Sequence, residues 1–272
     1  MATDRPPLWS LRLSPPPLTR RLVGVGGVLA IVVLWALLTM GATPESRVIS
    51  PVVLPSPVEV VGSIGTLVTE RALLQSIAAT LWRVLLGFGL AVIIGVPAGV
   101  MAGSWRVIDA AAAPLALFGR NIPVAALIPL TILWFGIGEA QKVMFIFLAC
   151  VPFVFSDTVG AIVGIPDRYV DTAQTLGAKP RQVIAKVLVP LALPEVYISL
   201  RNLFGLAFGY IMLAELINAG YGLGYLLSTS QRRGLTEHII LILVVIGALA
   251  FGIDRLLLWL QKGFFPYRRE EG

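Results

Sequence analysis

The chain reads as an all-α membrane protein of about six transmembrane helices, on its apolar bias, its long uncharged runs and the placement of its basic residues. Of 272 residues, 57% are hydrophobic and 13% are charged, against about 25% charged in soluble domains. Mean hydropathy is +0.88. Uncharged runs cover 22–43, 84–105 and 121–138, each near or above the ~18 residues that mark a membrane-crossing helix. Further spans at 143–165, 191–219 and 239–260 are interrupted by single or paired charges.

Residues 1–21, with Pro15-Pro16-Pro17, are expected to form an extended cytoplasmic arm. The run at 22–43 is longer than the ~7–15 residues of a signal-peptide core, and no small-residue cleavage site follows, so it is expected to remain as the first transmembrane helix. An extracytoplasmic segment occupies 44–75, where Pro55 and Pro57 end an extended lead and an amphipathic helix is expected from about Val58. The helical core runs over 76–263 and a cytoplasmic tail over 264–272.

Within the core, Gly95, Gly99 and Gly103 let another helix approach closely. Packing within the chain and dimerisation both satisfy that pattern, as they do for Gly205 and Gly209. Between Arg106 and Gly138 lie more residues than one span needs, and Arg120-Asn121-Ile122-Pro123 divides them. Pro123 lacks an N–H and disfavours helical geometry at Ile122, so the helix should break there. At membrane depth such a break is tolerated beside protein or a wet cavity, which makes Arg120 and Asn121 candidates for a translocation path. At the interface, Arg120 would instead be a snorkelling side chain.

Arg5, Arg12, Arg20 and Arg21 precede the first helix, Arg106 follows the second, the basic residues of 168–186 follow the fourth, and Lys262, Arg268 and Arg269 follow the sixth. All fall on one side, which the positive-inside rule makes cytoplasmic, with both termini inside. Arg47, Arg71, Arg232 and Arg233 oppose the bias and are partly balanced by Glu45, Glu70 and Glu237. Trp105, Trp134 and Trp259 stand near helix ends as interfacial anchors.

Several chemistries are excluded. Cys150 is the sole cysteine, so the chain has no internal disulfide and no thiolate metal cluster. His238 is the sole histidine, which removes the H-E-x-x-H zinc site and leaves a serine hydrolase without its base. The four lysines follow Gln141, Ala178, Ala185 and Gln261, so no G-x-x-x-x-G-K-[ST] loop cradles a phosphate and no ATP hydrolysis is expected of this chain. The net charge of +6 is spread among loops rather than gathered for nucleic acid. No catalytic residue, metal or cofactor is expected.

An acidic group at the bilayer centre costs about 2.5–3.5 kcal/mol on insertion scales, so Glu215 must face protein or water. Gating and pairing with Arg83 or Arg201 both meet that demand, and Asp157 reads the same way. Asp254 and Arg255 are neighbours in sequence and therefore do not face each other on a helix. An ion-coupled carrier or a channel would use the same intramembrane acids.

The polar stretch 171–190, DTAQTLGAKPRQVIAKVLVP, carries a more specific signal. Gly177 suits a helix C-cap and Pro180 the first turn of the next helix, so two short helices should form a compact knob. Lys179, Arg181 and Lys186 give it a basic side, while Val183, Ile184 and Val187 cover an apolar one. Asp171-Thr172-Ala173, Gly177, Val187 and Val189-Pro190 resemble the EAA loop of ABC importer permeases: Glu-Ala-Ala, three residues, Gly, nine residues, Ile-x-Leu-Pro. The spacing matches at every gap, with Asp171 in place of Glu and Thr172 in place of Ala. The blocks SIAATLWRVLLGFGLAVIIGVPAG, ALIPLTILWFGIGEAQKV and AELINAGYGLGYLL extend the likeness from about Leu54 to Leu227 and to the nitrate/sulfonate/taurine (bicarbonate) branch.

This resemblance implies a type I importer permease fold in a bacterial or archaeal cytoplasmic membrane, carrying a small solute such as nitrate, a sulfonate, taurine or bicarbonate. It further implies that Asp171, Thr172, Ala173, Gly177, Lys179, Arg181, Val187 and Pro190, within a loop at 166–190, couple to a separate ATPase that binds ATP and Mg. The implied partners are cytoplasmic ATPase subunits, an extracytoplasmic solute-binding protein, a second permease copy and membrane lipid.

Overall fold

The computed structural model describes residues 16–41, 43, 46–217 and 219–266; the expectations for 1–15, Glu45 and 267–272 fall outside them. Among the described residues the regular structure is entirely helical. Helix α1 (Pro17–Leu38) starts with proline in its first turn and leaves its apolar surface uncovered within the chain. It is tied to the following segment by the Trp35 indole, which donates to the Pro55 carbonyl at 2.9 Å. Ser56 and Glu59 form a reciprocal capping box that starts α2 (Pro57–Gly62). Arg47 grips the same Glu59 with two bonds of 2.9 and 3.1 Å. Ser63, whose hydroxyl donates to the Val60 carbonyl, separates α2 from α3 (Ile64–Thr69). The amphipathic helix expected from Val58 is thus two short helices.

Helix α4 (Leu73–Ser104) begins at Leu73, well before the uncharged run at Val84. Arg83 does not end the span because its charge is compensated inside the protein. After α4 come α5 (Arg106–Asn121), a 3-10 turn at Val124–Ala126, α6 (Leu127–Phe135) and α7 (Glu139–Val163). Gly87, Gly95, Gly99 and Gly103 of α4 lie against Ile146, Val154, Thr158 and Ile162 of α7, so close that an added Cβ would meet α7 atoms at 2.6 to 2.8 Å. Packing within the chain therefore accounts for the small residues at 95–103. The numbers rise together along both helices, so α4 and α7 run parallel.

Two consecutive parallel crossings require the intervening chain to return across the bundle. The pair α5 and α6, bent by 92°, makes that return as one broken span. Gly119 of α5 lies against Pro152 in the middle of α7, and Gln141 at the start of α7 donates to Thr131 of α6 at 2.9 Å. The expected break after Asn121 is present, at mid-depth rather than at either end of the bundle.

The remaining elements are α8 (Asp167–Thr175), α9 (Pro180–Val183), a π-helical turn at Ile184–Leu188, α10 (Val189–Glu215), α11 (Leu223–Arg232) and α12 (Thr236–Phe264). Helices α9 and α10 form one continuous span, Pro180–Glu215. The wide turn falls where Pro190 has no N–H to offer an α-helical bond. With the bent pair counted once, six segments among the described residues are long and apolar enough to cross a membrane. Helix α7 is central: Phe145, Ile146 and Val154 are fully buried among Val84 of α4 and Ala207 and Ile211 of α10. Phe88 and Phe204 meet edge to face at 5.4 Å. Cys150 is buried in this core as a small apolar side chain.

Candidate functional site

The bundle has a loop end, which carries 166–190, and a far end, where α4, α7 and α12 begin. At the loop end, α8 closes on Gly177, whose φ of +81° is the left-handed geometry that glycine adopts without strain. The Gly177 amide donates to the Gln174 carbonyl and the Ala178 amide to the Ala173 carbonyl, the paired bonds of a Schellman cap. Pro180 then opens α9, and the Lys179 amide donates to the Gln182 side chain at 2.8 Å. The result is two short helices hinged at Gly177, as the residues require.

Val183 and Leu188 anchor this knob against Ala161, Ile162, Ala192 and Val196, with Val170, Ala173, Ile184 and Val187 packed partly around them. Asp171, Thr172, Gly177, Lys179, Arg181, Lys186 and Pro190 are exposed. Thr172 donates to the Arg168 carbonyl at 2.6 Å, which uses its hydroxyl locally. Leu176, a residue that sequence reasoning missed, projects from the tip with 83% of its surface exposed. Its signal was a single leucine in a polar helix, immediately before the capping glycine.

The far end is closed by a charged cluster. Arg83, 3% exposed, donates to Glu139 twice at 2.6 Å, to Glu215 at 2.7 Å and to the Tyr221 carbonyl at 2.7 Å. Glu215 is fully buried and also accepts from the Thr80 hydroxyl at 2.9 Å and the Gly224 amide at 3.0 Å. Thr80 in turn accepts from the Leu223 amide. Lys142, buried in the first turn of α7, donates to the Gly138 carbonyl. One arginine thus ties α4, α7, α10 and the turn into α11 together. Of the two partners open to Glu215 in the sequence, the structure selects Arg83. Arg201 pairs instead with Asp254, at 2.7 and 3.1 Å, joining α10 to α12. Gly222, at φ +140°, makes room for the Glu215 carboxylate, which would collide with any Cβ there.

The interior of the loop end is open. A groove of about 700 Å³ runs between α7 and α10 from Pro166 and Tyr169 up to Asp157, past Glu195, Ser156 and Ser199. At its upper limit Asp157 approaches Arg120 at 3.9 Å, and the Arg120 guanidinium lies over the Phe153 ring, 5.1 Å from its centre. The structure therefore brings together two path candidates that are distant in sequence. Asn121 uses its amide to cap the end of α5, donating to the Leu117 carbonyl at 2.7 Å. The bundle is tied together at one end by the Arg83 cluster and carries a polar groove from Asp157 to the other.

The family model described as binding-protein-dependent transport system inner membrane component matches residues 95–266. A probable ABC transporter permease protein of Brucella melitensis is 36% identical over 86% of this chain and 89% of its own length. The taurine transport system permease protein of Escherichia coli is 31% identical over 93% of both. Among solved structures, a chain of the MetNI methionine ABC transporter in an inward-facing conformation superposes with a TM-score of 0.62, at 22% identity, over 71% of this chain and 96% of that one. The type I importer permease fold is thereby established, and this multi-pass chain belongs to the binding-protein-dependent transport system inner membrane component family as a permease subunit of an ABC importer.

Proposed function

We propose that the chain is the permease of an importer for a small oxyanion or organic anion, of the nitrate, sulfonate, taurine or bicarbonate kind. The observation that carries its coupling role is the knob at 166–190. It is rigidly capped at Gly177, rooted by Val183 and Leu188, and continuous through the π-helical turn with the α10 span. A push on such a knob is delivered to a membrane-crossing helix. We assign Asp171, Thr172, Ala173, Gly177, Lys179, Arg181, Val187 and Pro190, with Leu176, to docking on a separate cytoplasmic ATPase that binds and hydrolyses ATP with Mg²⁺. The knob end is then cytoplasmic, as are both termini, and the Arg83 cluster faces the extracytoplasmic solute-binding protein.

A second permease copy completes the passage. Asp157 and Arg120 are 30% and 40% exposed at mid-depth, where contact with lipid is costly. A facing subunit and water satisfy them, and Gly205 and Gly209 leave an uncluttered surface on α10 for close approach. We favour an identical copy, set in lipid. The anion reading draws on the taurine permease of Escherichia coli and on Arg120. Ion-coupled carriage is less well supported, because Glu215 is sequestered by Arg83.

Affinity purification of the tagged chain from its native membranes, with bound ATPases identified by mass spectrometry, tests this reading. The ATPase should be retained by the native chain and lost with Leu176→Asp. Absence of any ATPase from the native preparation, together with uptake driven by an ion gradient alone, overturns it.

A further inference from the structure

Arg83 and Arg201, well inside α4 and α10, are both consumed by neighbours. Arg83 spends its donors on Glu139, Glu215 and Tyr221, and Arg201 is held by both oxygens of Asp254. Arg120 differs. Its distance of 3.9 Å to Asp157 is an ion contact too long for a hydrogen bond. Its guanidinium rests on the Phe153 ring, a support that holds the planar group in place without using its N–H fork. It stands at the 92° break between α5 and α6, against the middle of α7. Ser156 links the two charges: it lines the groove that ends at Asp157 and also a crevice of about 190 Å³ that contains Arg120.

We propose that Arg120 and Asp157 form an exchangeable counter-ion pair: a passing oxyanion takes the free guanidinium fork while Asp157, its resident competitor, keeps that contact weak. The inference rests on the permease reading and adds its charge-selecting residue. A carboxylate or sulfonate matches the fork with two parallel bonds. Without the competitor, an anion would be held tightly at the guanidinium and leave it slowly. Without the arginine, the Asp157 carboxylate at the upper limit of the groove would repel anions.

The test uses Ser156→Cys in a Cys150→Ala background, in membrane vesicles that hold the whole importer. Two methanethiosulfonate reagents are the probes, one bearing an ethylsulfonate and one an ethyltrimethylammonium group, each rate normalised to a free thiol. The sulfonate reagent should react faster. Adding Arg120→Gln should shift the ratio about tenfold toward the cation, and Asp157→Asn should move it toward the anion, as expected for single charges a few ångströms away. Equal normalised rates, a ratio unmoved by both variants, or no reaction at Ser156→Cys overturns the proposal. The assay needs neither ATP nor a known solute, so failed ATP-driven uptake would count against the permease reading while leaving this ratio intact.

Discussion

Arg83→Met should be among the most destabilising single substitutions in the chain, and adding Glu215→Gln should rescue part of the loss. In the native cluster Arg83 and Lys142 balance Glu139 and Glu215. Arg83→Met leaves the fully buried Glu215 carboxylate with only Thr80 and the Gly224 amide as donors, and strands the Tyr221 carbonyl. Breaking a buried pair from one side costs about 3–5 kcal/mol, and at about 2–4 °C per kcal/mol the midpoint should fall by roughly 10 °C. Glu215→Gln alone should cost about 1.5–3 kcal/mol, the worth of a bond to a charged group, because Arg83 keeps Glu139. In the double variant the uncharged amide introduced by Glu215→Gln still accepts from Thr80 and Gly224 and can donate to Tyr221, so about 2 kcal/mol of the Arg83→Met loss should return. The lone buried Cys150 reports unfolding through a thiol-reactive coumarin during a temperature ramp in detergent. An Arg83→Met midpoint within about 2 °C of native, or a double variant that falls by the sum of the singles, refutes the charge-balance argument.

Three further outcomes follow from other regions. Gly87→Ala should cost about 1–3 kcal/mol in the same thermal assay, because its Cβ would meet the Val143 carbonyl at 2.6 Å, whereas Gly89→Ala, with nothing within 4 Å, should be neutral or stabilising. Gly177→Pro should leave membrane insertion intact but abolish uptake, since proline cannot adopt φ +81°; Gly177→Ala, which meets no neighbour, should cost about 1 kcal/mol of local strain. Arg47 and the Ser56 amide hold the Glu59 carboxyl down at about 2, from an ordinary 4.5. The stabilisation is present above pH 4.5 and is lost as pH falls toward 2, so hydrogen-exchange protection over 47–62, relative to the intrinsic rate at each pH, should fall across that window, and Glu59→Gln should remove the pH dependence.

The apolar runs disclosed most of the helices because hydrocarbon demands helical backbone and apolar side chains over a fixed length. The same logic hid the start of α4, since a hydropathy window counts Arg83 as a charge whether or not Glu139 and Glu215 neutralise it. Residue chemistry alone located the Gly177 hinge and the break before Pro123, where one backbone property decides the geometry. It could not join Arg120 to Asp157, whose meeting depends on α5 crossing α7, or choose between Arg83 and Arg201 as the partner of Glu215. Gly222 and Gly224 were legible only as part of a familiar block. Their physical purpose, a cradle for the Glu215 carboxylate and an amide aimed at it, emerges once the turn into α11 is seen.

The central claim is that ATP hydrolysis elsewhere drives this chain through the loop at 166–190. Proteoliposomes containing the chain with its ATPase, supplied with receptor and radiolabelled taurine or bicarbonate, test it most directly. Accumulation above the external concentration should require ATP and vanish when the ATPase is omitted. Equal accumulation by the chain alone contradicts the account.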